Sequence, residues 1–229
     1  VHPGGLGAVG EIFGAMAHPA VSSAVLSKAL EATWETIAYA VAGLTIALLI
    51  GLPLGAVASG VMARPGVGRG VAIAGARTVL AFFRAIHELV WAWLFVAAVG
   101  LSPLVAVLAL GIPYGGILGR IYADLLKDVP EAPLRALRNS GASEWRVFWY
   151  GRLPMALPDM LSYSFYRLEC GIRSAAIISF IGLGGLGREI QLALDDLAYG
   201  RMWTFVFFLV VLVVVIDVWS SVVRTRVEA

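Results

Sequence analysis

The chain alternates long apolar runs with short polar breaks. Ile37 to Ala63 and Met202 to Trp219 reach or approach the roughly 20 residues that a helix needs to cross a hydrocarbon core. The pattern predicts five spans: A over about 34–60, B over about 70–99, C over about 102–126, D over about 155–183 and E over about 202–223. Between them lie MARPGVGRG, the turn GLSP, the polar stretch 127–153 and the segment 184–201. Span B is long enough to be tilted or broken. The two-residue alternation of a membrane barrel is not visible. The expected fold class is therefore all-α: a polytopic membrane protein of about five transmembrane helices. Residues 1–33 form an extracytoplasmic segment and 34–229 the transmembrane domain.

Composition agrees, with 60% hydrophobic and 14% charged residues against roughly 45–50% apolar usage in soluble domains. Placing the charges sets an orientation, because basic loops stay in the cytoplasm. Nine basic residues fall on one side: Arg64, Arg69, Lys127, Arg135, Arg138, Arg146, Arg152, Arg224 and Arg226. Only Lys28, Arg188 and Arg201 fall on the other. The expectation is an outer N-terminus and a cytoplasmic C-terminus. Residues 1–33 lack the basic start and apolar run of a signal peptide. Cys170 is the single cysteine, so no internal disulfide can form.

The stretch KDVPEAPLRALRNSGASEWRVFWYGRLPMALP, Lys127 to Pro158, predicts two short helices. Pro130 and Pro133 suit a first turn, Gly141 the left-handed residue that ends the first helix, and Ser143 the cap of the second. Trp145, Phe148 and Trp149 fall at i, i+3 and i+4, an apolar face opposite Glu144 and Arg146. Such a helix either lies on the membrane surface or docks a cytoplasmic partner.

The spacing A-x(4)-G-x(11)-L-P, from Ala136 through Gly141 to Leu153 and Pro154, resembles the coupling-loop motif of type I ABC-importer permeases. YRLECGIRSAAIISFIGLGGLG (Tyr166 to Gly187) and RTVLAFFRAIHELVWAWLFVAAVGLSP (Arg77 to Pro103) are most similar to the phosphonate-importer permease subfamily. Aligned on Gly141, the family's glutamate falls on Arg135, its second alanine on Leu137 and its isoleucine on Gly151. The literal EA at Glu131 and Ala132 lies four residues early. His87 stands where the subfamily has proline, which puts a kink there in doubt. The resemblance also implies a further N-terminal span, for which residues 1–33 hold no apolar run.

The resemblance implies a permease subunit that forms the translocation pathway for phosphonate or a related phosphorus oxyanion in the bacterial inner membrane. Its coupling loop, 127–153, would engage cytoplasmic ATPase subunits through Arg135, Ala136, Gly141, Ser143, Trp145, Leu153 and Pro154. The implied partners are a second permease subunit, probable as a homodimer in the family, two ATPase subunits, an extracytoplasmic phosphonate-type binding protein and the lipid bilayer, with no nucleic acid. No cofactor belongs to this chain, and ATP and Mg sit on the ATPase. The chain itself is not an enzyme. It has no G-x-x-x-x-G-K-[ST], and neither lysine, Lys28 nor Lys127, follows a glycine.

Charges inside spans cost about 2.5–3.5 kcal/mol each on insertion scales and mark functional sites by default. Span B carries Arg77, Arg84, His87 and Glu88; span D carries Tyr166, Arg167, Glu169 and Arg173. Arg77 and Arg84 are seven apart and Glu88 four further on, so all three share one helical face, and Glu169 with Arg173 is an i,i+4 pair in the favourable order. Two readings stand. Arg84 with Glu88 and Glu169 with Arg173 are internal ion pairs, or some arginines face the pathway, where guanidinium suits phosphonate oxygens. Asp124 and Asp217 read as lone acids. His87 reads as a packed histidine, and no metal site is expected, since H-E-x-x-H is absent.

Gly111, Gly115 and Gly119 form a small-residue stripe that lets membrane helices approach, facing either span D or a second subunit. Gly182, Gly184 and Gly187 match G-x-G-x-x-G, a nucleotide fingerprint only between a strand and a helix. Here the motif follows a membrane span on the outer side, so Gly182, Gly184, Gly185 and Gly187 read as a turn and packing element. Other readings are an importer permease for an amino acid or quaternary amine and, in a different class, an intramembrane enzyme, for which no G-x-S-x-G or histidine cluster is present.

Overall fold

The computed structural model describes residues 5–62 and 67–227; Arg64, counted above for orientation, and His2 lie outside them. Among the described residues there is no strand. The order is α1 (Gly5–Gly14), a 3-10 turn (Ala15–Ala17), α2 (Ser23–Ser59), α3 (Val67–Ala85), α4 (Glu88–Val99), α5 (Pro103–Asp128), α6 (Glu131–Asn139), α7 (Glu144–Val147), a π turn (Phe148–Arg152), α8 (Leu153–Ser179), α9 (Leu186–Asp195) and α10 (Tyr199–Val227).

Three helices, α2, α5 and α10, are each long and apolar enough to cross a membrane, and the pair α3–α4 makes a fourth if it counts as one span. One of the five expected spans does not meet that criterion. The difference is α8, whose 27 residues reach about 40 Å but include Asp159, Arg167, Glu169 and Arg173. Those charges lower its hydropathy; Glu169 is buried and Arg167 half-buried among its neighbours, whereas Asp159 and Arg173 are exposed. Span A also starts earlier than expected, since α2 begins at Ser23.

Helices α2 and α5 form the closest pair. A Cβ on Gly115 would stand 2.8 Å from Cβ of Ile50, and one on Gly55 would stand 2.7 Å from the carbonyl oxygen of Gly119. The stripe Gly111, Gly115 and Gly119 therefore faces α2, with Gly119 also against Leu80 of α3. Neither partner expected for it is correct. The glycines bring two backbones into contact that side chains would hold apart.

Span B is broken, with α3 and α4 meeting at 86°. His87 does the work that proline was expected to do. Its extended backbone caps α4, and its ring Nδ1 accepts the Leu89 N–H at 3.2 Å. The kink that the missing proline put in doubt is present.

The chain reverses after each long helix. The termini of α5 near Ser102 and of α8 near Ser179 therefore share one end of the bundle, with the start of α2 and of α10. The segment 127–153 lies at the opposite end.

Candidate functional site: a latched two-helix element and an arginine–tyrosine seam

The segment after α5 forms the expected pair of short helices. Gly141 takes φ +84°. Its N–H donates to the Arg138 carbonyl at 2.9 Å, and Ala142 N–H donates to that of Leu137 at 3.1 Å. These two bonds are the Schellman pattern, which satisfies carbonyls left over at a helix end. Ser143 has the extended backbone of an N-cap, but its side chain makes no capping bond.

The expected apolar face of the second helix is corrected. Phe148 is buried, whereas Trp145 is 60% exposed and stacks edge-on with Trp149 at 5.7 Å. The helix widens into a π turn from Phe148 onward, which rotates the later side chains out of the 3.6-residue register. Arg135 and Ala136 are exposed on α6, Leu153 is half-buried and Pro154 sits exposed in the first turn of α8.

Glu131, set aside by spacing, is the hub of this element. Its Oε1 accepts from Arg152 Nη2 at 2.6 Å and its Oε2 from Arg138 Nη1 at 2.9 Å. Arg138 in turn grips both carboxylate oxygens of Glu144, at 2.8 and 3.2 Å. The side chain of Arg152 is 6% exposed, and its Nη1 donates to the Leu126 carbonyl at 2.7 Å. The Arg138 guanidinium, and then that of Arg152, hold the Glu131 carboxyl below the ordinary glutamate value. Glu144 correspondingly raises the pKa of Arg138. The sequence signal was Glu131 and Arg138, seven apart on one face of α6, with Glu144 six residues further on across the Gly141 turn.

At the other end, the glycine-rich loop is a turn and packing element, as expected. Gly182, Gly184 and Gly185 have φ of +100°, +90° and +83°. A Cβ on Gly187 would collide with the Ala176 carbonyl oxygen. Missed by sequence were the loop's partners on α2. Gly185 N–H donates to a Glu35 carboxylate oxygen at 2.7 Å, Leu186 N–H to Thr36 Oγ1 at 3.0 Å, and Tyr39 hydroxyl to the Leu183 carbonyl at 2.8 Å. Three polar residues at i, i+1 and i+4 in an otherwise apolar span were the available sign.

Between the two ends runs a polar seam. Glu169 and Arg173 pair at 2.6 Å, as expected, with Arg224 4.0 Å from the second carboxylate oxygen. Arg84 and Glu88 do not pair: the 86° turn separates them, and among the described residues Arg84 makes no ion pair. Glu88 instead accepts from Ser174 Oγ at 2.7 Å, and Ser174 accepts from the Tyr114 hydroxyl at 3.0 Å. Arg77 donates Nε to the Ala58 carbonyl at 3.2 Å. Asp124 is not a lone acid, since it pairs with Arg120 at 2.9 Å and Lys127 at 3.6 Å.

Arg167 has no carboxylate partner among the described residues. Its guanidinium carbon lies 4.9, 5.8 and 6.0 Å from the ring centroids of Tyr114, Tyr163 and Tyr166. Each such contact contributes about 0.5–2 kcal/mol, which offsets part of the cost of a cation among helices. No cluster of three or more metal-ligating side chains occurs among the described residues.

The family model for "Binding-protein-dependent transport system inner membrane component" matches residues 51–229. The chain is 32% identical over 190 residues to the phosphite transport system permease protein PtxC of Stutzerimonas stutzeri, covering 83% of this chain and 68% of that one. It is 32% identical, again over 190 residues, to the phosphate-import permease protein PhnE of Mycolicibacterium smegmatis, covering 83% and 35%. The chain thus spans between 35 and 68% of the length of its first curated relatives. Among solved structures, an inward-facing MetNI methionine ABC transporter chain superposes with a TM-score of 0.77 at 22% identity, over 90% of this chain and 99% of that one. The turn at Gly141, the glycine-rich loop and this match agree with the coupling-motif resemblance: the chain belongs to the binding-protein-dependent transport system inner membrane components and has the fold of a type I ABC-importer permease.

Proposed function

We propose that the chain is the permease subunit of an ATP-driven importer for phosphite, phosphonate or a related phosphorus oxyanion. The observation that carries this is the exposed two-helix element around Gly141, tied into the bundle through Arg152 and Glu131. It offers a rigid docking surface that a partner ATPase can push or pull. ATP and Mg belong to that partner. The substrate class is supported by the relatives, whose names specify phosphite and phosphate, and by the arginines of the seam, whose guanidinium forks suit tetrahedral oxyanions.

In this reading two permease subunits, most simply two copies of this chain, enclose the pathway. Two ATPase subunits dock at the Gly141 end, in the cytoplasm, and a binding protein for the oxyanion docks at the glycine-rich end, outside. The test is co-purification followed by uptake in vesicles. The complex should retain an ATPase subunit and take up labelled phosphite or methylphosphonate in exchange for ATP hydrolysis. Uptake of an amino acid or quaternary amine instead would overturn the substrate class. Failure to retain any ATPase would overturn the coupling role.

A further inference from the structure

Each interior arginine except two has a settled partner or faces outward. Arg173 closes on Glu169, Arg77 on a backbone carbonyl and Arg120 on Asp124, while Arg84 is exposed. Arg167 is different. It stands fourteen residues into α8, and of its five N–H donors one is used, Nη2 to the Tyr163 hydroxyl at 3.2 Å. Its Nε is fully buried without an acceptor. A buried charged donor left without an acceptor is costly, and a carboxylate here would have removed the cost. Three tyrosine rings surround it instead, holding the cation in place while leaving its N–H groups uncommitted.

Two of those rings, Tyr163 and Tyr166, also line a cavity of about 300 Å³ between α5, α8 and α10. Arg224 lines the same cavity and lies 6.0 Å from the centroid of Tyr166, the distance at which Arg167 lies from that ring. Its ion-pair partner among the described residues, Glu169 at 4.0 Å, is already engaged by Arg173 at 2.6 Å. Arg224 thus lines the cavity itself, whereas Arg167 stands one layer back and shares with it only the ring of Tyr166.

We infer that Arg167 and Arg224, sharing the ring of Tyr166, form a transient oxyanion site inside the permease. The inference rests on the reading of the chain as an oxyanion permease subunit and names where the substrate pauses. A small tetrahedral oxyanion held by Arg224 in the cavity draws the Arg167 guanidinium past the edge of Tyr166 and supplies the acceptor that Arg167 lacks. Asp159 on the cavity wall and Glu169 beside Arg224 oppose the anion. They keep the site weak, as passage requires. A cationic solute finds the aromatic faces already occupied by arginine.

The test uses the full complex in vesicles, with labelled phosphite as the probe and four variants. Arg167→Gln and Arg224→Gln should lower maximal phosphite uptake about tenfold or more, the loss of a charged hydrogen bond. Arg167→Lys should also lose about tenfold, because lysine keeps the charge but not the Nε–H. Arg120→Gln, which breaks a paired arginine elsewhere, should stay within about twofold. If the wild-type complex takes up phosphite and Arg167→Gln matches it within twofold, the site is overturned while the function stands. Should Arg167→Gln fail to assemble, equal uptake by Arg167→Lys and Arg224→Gln overturns it. A wild-type complex that carries no phosphorus oxyanion overturns both.

Discussion

Arg152 holds Glu131 at 2.6 Å with one nitrogen and the last turn of α5 with another, through the Leu126 carbonyl at 2.7 Å. One guanidinium therefore fastens the exposed two-helix element to the long helix before it, at the point where α8 begins. Removing it leaves a helix-end carbonyl without its donor and Glu131 with Arg138 alone. Arg152→Gln is expected to cost about 1–3 kcal/mol, seen as a lower unfolding temperature of the purified protein. It should also lower phosphite uptake per ATP hydrolysed while the ATPase subunit stays bound. Unchanged coupling would show that the latch transmits nothing.

Acidification tests the same latch. The carboxyl of Glu131 is lowered by its arginines in the folded state, so its contribution is present above the ordinary glutamate value and is lost as pH falls through the lowered one. The element should stay attached at neutral pH and loosen only under acid conditions. Spin labels at Asn139 and Leu161 would report this as a broadened distance distribution at low pH. Glu131→Gln should be broadened already at neutral pH and respond less to acid. An identical pH response in that variant would place the effect elsewhere.

Gly141 separates backbone conformation from crowding. A Cβ there meets nothing within 4 Å, yet φ is +84°. Gly141→Asn should therefore be tolerated, while Gly141→Val should cost about 1–3 kcal/mol and release the ATPase subunit on purification. Equal behaviour of the two variants would refute the turn as the reason for glycine.

The glycine-rich loop offers the converse comparison. Gly187→Ala drives a methyl into the Ala176 carbonyl, whereas Gly182→Ala finds open contacts of 3.7 Å and only an unfavourable φ. Overpacking against backbone should make Gly187→Ala the worse of the pair, by about 1–3 kcal/mol, measured as loss of folded protein in detergent. A milder effect at Gly187 than at Gly182 would contradict the close packing.

How far residues alone led depends on whether the deciding contact was local. The Gly141 turn, the Glu169–Arg173 pair and the glycine-rich turn are written within a few positions and were found. Leu137 and Gly151 looked like separate departures from the family motif. In space they are one: a Cβ on Gly151 would stand 2.7 Å from the Leu137 side chain, so a large residue on α6 fits because a small one faces it. Such an exchange of volume conserves packing but is invisible along the chain. The 86° break was left open for a related reason. It depends on the His87 ring capping a helix, which composition does not distinguish from an ordinary apolar-span histidine. Glu131 was misjudged because the motif's spacing, rather than the reach of its two arginines, was taken as the guide.

Helix α5 runs unbroken from Pro103, beside Gly182 and Gly184 on the rim of a cavity of about 240 Å³, to Leu126, whose carbonyl Arg152 grips. Its 26 residues span about 39 Å, and its glycine face seats it against α2 with no space for sliding. One continuous helix therefore joins the two ends of the bundle, with Pro113 at its middle, where the missing N–H gives it a place to flex.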